Sequence, residues 1–157
     1  MKIEIRQARP EDAPVIAEYN RAMAAETESL TLEPGRVIAG VKSVFDDPSR
    51  GLYLVAAAGG QVVGQLMITY EWSDWRNGSF WWIQSVYVHP DYRRRGVFRM
   101  LYSNILERAR QAPDVCGVRL YVEEENHRAQ RTYKELGMSR TPYQFYEVDF
   151  VLGKAAR

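Results

Sequence analysis

Three consecutive arginines followed by a glycine, at residues 93–96, form the part of this 157-residue chain that most directly suggests chemistry. They connect an apolar segment, residues 80–88, to a segment whose apolar residues recur at helical spacing. The start of a helix presents backbone N–H groups and the positive end of the helix dipole. Gly96 lets a ligand approach the backbone, and arginine side chains bind outer phosphate oxygens. The segment therefore predicts an anion nest that suits a pyrophosphate.

The alternative is that the three arginines only solvate the beginning of a helix. Positive charge opposes the dipole at that end, so this alternative leaves the arginines without a reason. Nucleic-acid binding is not indicated, because the formal net charge is +1 and the basic run is short. We therefore favour local phosphate binding.

The elements that must position this turn alternate along the chain. Alternation of apolar residues predicts strands at residues 2–8, 51–58, 61–72, 80–88 and 117–124, and one or two more within residues 138–152, interrupted at Pro142. Gly59-Gly60, between the second and third of these strands, predicts a hairpin turn. Helical spacing predicts helices at residues 9–26, 33–47, from Gly96 onward and at 126–137. This order indicates an α/β (α+β) fold with a mostly antiparallel sheet of six to seven strands and about four helices. One βαβ crossover, residues 80–124, makes two neighbouring strands parallel.

The chain carries no linker, repeat or low-complexity segment, so we expect a single domain over residues 1–157. Cys116 is the only cysteine, which excludes an intrachain disulfide and suits a reducing compartment. Neither a signal-peptide pattern nor a spanning apolar run is evident, so we expect a cytoplasmic protein without a membrane partner. The two histidines, His89 and His127, form no metal-ligand pattern with Cys116, and no metal is expected.

Two motifs resemble those of the GNAT superfamily of N-acetyltransferases. "VYVHPDYRRRGV", followed by an amphipathic helix, is similar to the acyl-CoA-binding motif Arg/Gln-x-x-Gly-x-Gly/Ala. Arg93 fills the first position of this motif, and Gly96 is its first glycine. "NHRAQRTYKELGM" is similar to that family's downstream pattern, which is filled in register by Asn126, Ala129, Tyr133 and Gly137. The order of elements also matches over nearly the full length. The resemblance implies a GNAT-like fold and acetyl-CoA as cosubstrate.

The resemblance also implies where the coenzyme binds. We expect it to contact Tyr87, Val88, Arg93, Arg94, Arg95, Gly96, Val97, Phe98, Asn126 and Ala129. Phe98 departs from the motif, because the family has glycine or alanine there. Its ring could narrow the coenzyme site or point into the core.

The implied reaction is direct attack of a neutral amine on the thioester. A backbone N–H must stabilise the oxyanion, and an acid must protonate the leaving thiolate. The resemblance assigns the N–H donor to the strand near Val88 and the acid to Tyr133. Asn126, Ala129, Tyr133 and Leu136 share one helical face, which agrees with this role. The alternative for Tyr133 is a core tyrosine, and Asn126 is either a helix N-cap, a pantetheine contact or both.

The general base is less defined by the sequence. Many family members carry a glutamate near Gln84, and glutamine cannot usefully accept a proton, although it could orient water or the acceptor. Candidate acids on the expected acceptor side are Glu26, Glu28, Glu71 and Asp74, of which Glu71 is our best single candidate. Each of them also fits a solvated loop or cap. Four acids together favour a cationic amine.

The sequence thus predicts an acetyl-CoA-dependent N-acetyltransferase acting on a small-molecule or peptide amine, with a small cationic amine favoured. The alternative is an acyl-CoA-binding sensor of the same fold, which Gln84 and Phe98 favour. The aromatic hairpin, with Trp72, Trp75, Phe80, Trp81 and Trp82, could be core, acceptor pocket or homodimer interface.

Overall fold

The computed structural model describes residues 1–153, which fall into two compact units, Met1–Leu120 and a second that begins at Tyr121. The first unit contains strands β1 (Ile3–Gln7), β2 (Leu52–Ala58), β3 (Gln61–Ser73), β4 (Gly78–Val88) and β5 (Val115–Arg119). It also contains helices α1 (Ala13–Glu28), α2 (Pro34–Asp46) and α3 (Val97–Gln111). Helix α4 (His127–Glu135) belongs to the second unit.

The strands of the first unit form one sheet in the order β1-β2-β3-β4-β5. The first three pairings are antiparallel, and β4 pairs with β5 in parallel through the α3 crossover. The predicted mixed, mostly antiparallel sheet with one parallel crossover is therefore confirmed. The hairpin predicted at Gly59 and Gly60 also forms, and both glycines take positive φ values, of 57° and 83°.

The predicted number of strands was wrong, because the described residues contain five strands rather than six to seven. Residues 138–152, which were expected to contribute one or two strands, contain none. Their pattern of large apolar residues is strand-like, but the side chains of Tyr143, Phe145, Tyr146, Val148 and Phe150 are exposed. A strand forms where a partner edge satisfies its backbone and a face buries its side chains, and alternation in sequence supplies neither.

Helices α1 and α2 cover one face of the sheet. Ile16 and Val41 from these helices form a buried cluster with Tyr53 and Val55 of β2. Neighbouring residues of a strand point to opposite faces, so Ala56 and its register partner Gly64 face the other side. Helix α3 begins on that other side, because its first residue packs against Gly64.

Gly64 sets how closely α3 approaches the sheet. A Cβ atom at Gly64 would lie 2.9 Å from Val97 Cγ1 and 3.5 Å from the carbonyl oxygen of Tyr87. Carbon atoms pack at about 3.5–4.0 Å, so any larger residue would push the start of α3 away. The absence of a side chain at Gly64 therefore fixes the position of the turn that precedes α3.

Replacing Gly64 with Ala should lower the free energy of unfolding by about 1–3 kcal/mol, because the added methyl group overpacks this contact. The matched control is Gly40→Ala in α2, where a Cβ would meet no atom within 4 Å. Alanine there should stabilise the helix by up to about 1 kcal/mol. Urea unfolding of both variants measures the difference, and a Gly64→Ala variant as stable as wild type would contradict the close approach.

Candidate active site

The arginine run forms a turn that is held in an unusual backbone conformation. A short 3₁₀ helix, Pro90–Tyr92, leads into it, and the His89 side chain accepts a hydrogen bond from the backbone N–H of Asp91 at 3.2 Å. Arg94 then adopts φ 63°, a left-handed conformation that is uncommon for a residue with a side chain. Such residues cost energy and concentrate at functional sites. Arg94 is therefore a candidate functional position.

The turn is open where an anion would approach. Gly96 has φ 77°, and a Cβ atom there would meet nothing within 4 Å. Arg94 and Arg95 are exposed, and the Arg95 guanidinium lies 5.5 Å from the centre of the Tyr92 ring. The donors gathered here are backbone N–H groups and guanidinium groups, a set that fits phosphate oxygens.

Two residues at the start of α3 that were predicted to contact the coenzyme, Val97 and Phe98, have side chains that pack against other protein residues. Val97 is buried against Gly64, so its backbone is the part that could contact a ligand. Phe98 is half-buried, and its ring centre lies 6.1 Å from that of Tyr102, one helical turn further on. The Phe98 ring thus lies beside another ring of its own helix.

Arg93 already has protein partners. Its Nε donates to the carbonyl oxygen of Val88 at 2.8 Å, and its Nη2 forms an ion pair with Glu26 Oε2 at 2.9 Å. The guanidinium also lies 5.3 Å from the centre of the Tyr87 ring. Arg93 therefore holds the end of β4 and the turn against α1.

Tyr87 completes this cluster from the sheet. Its hydroxyl donates to Glu26 Oε1 at 3.1 Å, and its ring centre is 4.8 Å from that of Tyr19. Burial, with help from the Glu26 carboxylate, raises the pKa of Tyr87, so the phenol stays protonated. Glu26, expected on the acceptor side, is thus bound on both carboxylate oxygens by Arg93 and Tyr87.

Strand β4 leaves its parallel partner halfway along its length. Pairing with β5 ends at Trp82 and Arg119, and residues 83–88 continue beyond it. In the same stretch the β3–β4 register shifts, since Gln65 pairs with Tyr87 whereas Met67 pairs with Gln84. The strand therefore has one open edge and a β-bulge next to it.

The backbone of Val88 faces the open edge. The N–H of His89 donates to the Val63 carbonyl at 2.9 Å, so residue 89 faces β3. Peptide groups alternate along a strand, and the N–H and C=O of Val88 consequently point the other way. Arg93 Nε reaches the Val88 carbonyl from that side. The Val88 N–H is therefore available to a ligand lying along the edge.

A second candidate donor, Val86, could not be found from the sequence. Ser85 has φ 50°, and its carbonyl leaves the strand ladder to accept a hydrogen bond from the Gln65 side chain at 3.1 Å. In a trans peptide the N–H points opposite to the C=O, so the Val86 N–H points away from Gln65. The direction of the Val86 N–H follows from the register shift, which cannot be read from the sequence. The one feature of the sequence that points to it is a polar residue, Gln65, within the apolar run of β3.

The predicted base candidates lie apart from the bulge. Gln84 Nε2 donates to Thr69 Oγ1 at 2.6 Å. Glu71 forms an ion pair with Arg119 at 2.7 Å and is paired in register with Phe80. At about 3.3 Å per residue, Phe80 is about 16 Å from Ser85 along β4. The structure therefore brings Gln84, and not Glu71, to the bulge.

The other two acids also lie at separate places. Glu28 is the last residue of α1, and Asp74 lies in the exposed turn between β3 and β4. The four acids thus form no single acidic pocket. Among the residues that the structure describes, no group of His, Cys, Asp or Glu could hold a metal ion.

The exposed part of the aromatic hairpin lies at the end of the β3–β4 pair that carries Glu71. Tyr70 and Trp81 are register partners with ring centres 6.3 Å apart. Trp72 is 61% exposed and Trp75 is 84% exposed, so neither belongs to the core.

In the second unit, Asn126 caps helix α4. Its Oδ1 accepts a hydrogen bond from the backbone N–H of Ala129 at 3.1 Å, so the N-cap reading of Asn126 is confirmed. Burial raises the pKa of Tyr133 on the same helix. The phenol therefore keeps its proton at neutral pH, as a proton donor must.

Comparison with known proteins agrees with this geometry. The profile of the Acetyltransferase (GNAT) family matches residues 9–138. A crystal structure described as a possible acetyltransferase from Clostridium difficile 630 is 44% identical, with a TM-score of 0.88 over 96% of this chain and 99% of that chain. The chain therefore belongs to the GNAT acetyltransferase family.

More distant structures share the fold. A predicted acetyltransferase with acetyl-CoA from Clostridium acetobutylicum is 13% identical, with a TM-score of 0.76 over 96% of this chain and 97% of that chain. Glucosamine-6-phosphate N-acetyltransferase from Arabidopsis thaliana is 15% identical, with a TM-score of 0.72 over 94% of this chain and 98% of that chain. No curated protein matches the chain. In the described part of the chain, no helix has the length and apolar character needed to cross a membrane.

The cluster around Arg93 can be tested by Arg93→Lys. Lysine keeps the charge but lacks the planar fork that reaches Val88 and Glu26 together. The free energy of unfolding should fall by about 1 kcal/mol, since both partners are partly solvated. Arg94→Lys is the matched control and should change stability by less than about 0.5 kcal/mol. Equal urea midpoints for the two variants would show that Arg93 does not hold the turn.

Proposed function

We propose that this chain transfers the acetyl group of acetyl-CoA to a primary amine by direct attack in a ternary complex. One observation carries the proposal: the open edge of β4, residues 83–88, leads into the turn that carries the three arginines, residues 93–96. An extended chain with amide groups could bind along this edge, and a pyrophosphate at its end would reach the turn. Coenzyme A has this arrangement of parts.

The residues of the turn fit the phosphates. Arg94 and Arg95 supply the outer charged donors, whereas Arg93 keeps the turn in place through Val88 and Glu26. Gly96 admits a phosphate oxygen to the backbone. Tyr87 supports this end of the strand from within, and contacts of the coenzyme with the backbone of Val97, with Phe98 and with Asn126 and Ala129 are further parts of the proposal.

When bound, the coenzyme supplies an activated thioester. The N–H of Val86 stabilises the negative charge that develops on the carbonyl oxygen. The N–H of Val88, about 6.6 Å further along the strand, is left for an amide group of the coenzyme. Tyr133 donates its proton to the sulfur as the thiolate leaves. Its raised pKa keeps it protonated at neutral pH.

The amine must lose a proton before or during its attack on the thioester. Gln84, held by Thr69, lies near the bulge and could orient the amine or a water molecule. Glu71 is kept as a candidate base, although its ion pair with Arg119 and its distance along β4 argue against direct contact with the amine. We therefore assign Gln84 an orienting role and expect water to carry the proton away.

The acceptor is proposed as a small-molecule or peptide amine. The preference for a small cationic amine rested on four acids, and Glu26 and Glu71 are neutralised by arginines. Glu28 and Asp74 are left to support that preference.

A homodimer through exposed Trp72 and Trp75 and a cytoplasmic location are separate proposals.

A second candidate function is an acyl-CoA sensor without efficient transfer. The observation that favours it is the Gln84 side chain, bound to Thr69 at the bulge where a carboxylate base would be useful. Such a protein would use the same edge and the same turn.

Coenzyme binding is tested by calorimetric titration of acetyl-CoA into the wild type and an Arg94→Ala, Arg95→Ala variant. Retaining Arg93 keeps the turn folded, so the variant removes only outer phosphate donors. We expect Kd to rise at least about tenfold, or about 1.4 kcal/mol, and to depend less on salt. A control with Arg108→Ala and Arg110→Ala, at the other end of α3, should bind as the wild type does. Absence of wild-type binding would refute both candidate functions.

Replacing Tyr133 with Phe separates catalyst from sensor. The variant should bind acetyl-CoA with unchanged affinity, while kcat for an accepted amine falls by about 10²–10⁴. Tyr143→Phe, at an exposed position of the same unit, is the control. Screening amines with a thiol reagent that detects free coenzyme A provides the rate. If no amine gives turnover, the sensor is favoured, and equal rates for Tyr133→Phe and wild type would remove the acid role.

A further inference from the structure

Gln65 is a polar side chain at a place where the fold favours an apolar one. It lies on β3 beneath α1, and it is 0% exposed. Its Nε2 donates to Asn20 Oδ1 at 2.8 Å and to the Ser85 carbonyl at 3.1 Å. Because a carbonyl oxygen can only accept, the nitrogen of the amide must face Ser85, and this fixes its orientation.

The network continues into the core. Asn20 of α1 also acts on Tyr53, whose pKa is raised by burial and partly lowered again by Asn20. Tyr53 is itself buried within the cluster of α1, α2 and β2. The chain of contacts from Tyr53 through Asn20 and Gln65 thus ends at a single backbone carbonyl, that of Ser85.

Stability alone does not account for Gln65. Its Oε1 is buried without a hydrogen-bond partner in the described structure. A buried acceptor left without a partner costs about 1–3 kcal/mol, and apolar residues at both Gln65 and Asn20 would avoid that cost. Ser85, its partner, is also held in a left-handed conformation. Two unfavourable features that meet at one hydrogen bond indicate selection for geometry at this bond.

What the bond controls is the direction of one peptide group. Drawing the Ser85 carbonyl towards α1 turns the N–H of Val86 to the opposite side. That N–H is the donor assigned above to the thioester oxygen. An oxyanion donor has to be held in direction before the reaction, because reorientation during it would cost energy.

We propose that Gln65 is a positioning residue, which through Ser85 aims the Val86 N–H at the carbonyl oxygen of the bound acetyl group. It touches neither substrate nor coenzyme. This inference rests on the proposed function, because it takes the acetyl thioester as the ligand of β4.

The test compares wild type with Gln65→Met, which keeps the length and volume of the side chain but removes the donor. Gln61→Met, at the exposed start of β3, is the matched control. Each protein is labelled with ¹⁵N-valine and titrated with acetyl-CoA and, separately, with coenzyme A. The readout is the difference between the two ligands in the amide chemical shift of Val86, which reports the acetyl carbonyl.

For the wild type and Gln61→Met, we expect a clear difference between the ligands at Val86. For Gln65→Met we expect that difference to disappear, while Kd for acetyl-CoA changes by less than about threefold. The unfolding midpoint of Gln65→Met should fall below that of wild type, because Asn20 Oδ1 and the Ser85 carbonyl oxygen lose their donor. A purely structural role would lower that midpoint to the same extent but leave the difference at Val86 unchanged.

Failure of the proposed function and failure of the role inferred for Gln65 give different results in this experiment. Wild type that does not bind acetyl-CoA would overturn the proposed function itself. Binding together with a Val86 difference that survives in Gln65→Met would overturn only the role of Gln65. Should Gln65→Met not fold, Asn20→Leu provides the second variant, since it removes the partner that holds Gln65 and predicts a reduced difference at Val86. An unreduced difference there would equally refute the inference.

Discussion

The candidate site depends on a difference in pairing between the two edges of β4. One edge stays paired with β3 along the strand, whereas the other loses β5 after Trp82. A strand that stayed paired on both edges would have no backbone groups left for a ligand. The bulge at Ser85 and the turn at residues 93–96 matter because they lie beside and beyond this unpaired stretch. The contacts proposed between the coenzyme and β4 use backbone groups that this divergence leaves exposed.

The charged side chains around this edge mainly connect elements of the fold to one another. The Arg93–Glu26 pair joins α1 to the turn, and the Glu71–Arg119 pair links β3 to β5 across β4. Both pairs are partly solvated, so each contributes little stability by itself, but each restricts where two elements lie. The acids that suggested a cationic acceptor are in part the partners of these arginines. Counting acids in a sequence therefore overstated the negative charge offered to a substrate.

Much of the fold could be predicted from local sequence, and the site only in part. Periodicity located all four helices, the first four strands and the Gly59–Gly60 hairpin, and the arginine run located the turn. These features depend on neighbouring residues alone. The bulge was not predictable, because it is a mismatch between two strands. The partners of Glu26 lie 61 and 67 residues away, at Tyr87 and Arg93. The strand-like pattern of residues 138–152 misled for the same reason, since no sequence pattern specifies a partner edge.

Several unfavourable local features of the first unit lie along the path that the proposed ligand would follow, whereas the left-handed Ser29 and the unpaired buried Oδ1 of Asn104 lie elsewhere. Ser85 and Arg94 adopt left-handed conformations without being glycines, and Gln65 buries an unpaired oxygen. By contrast, Asn77 has φ 48° in the Asn-Gly turn, where asparagine takes this conformation at little cost. A domain of this size has only about 5–15 kcal/mol of net stability, so several such costs in one place are not neutral. They are understandable if Ser85 orients one N–H and Arg94 turns others towards an anion. The sequence has then kept stability below its attainable value in order to hold backbone donors in fixed directions.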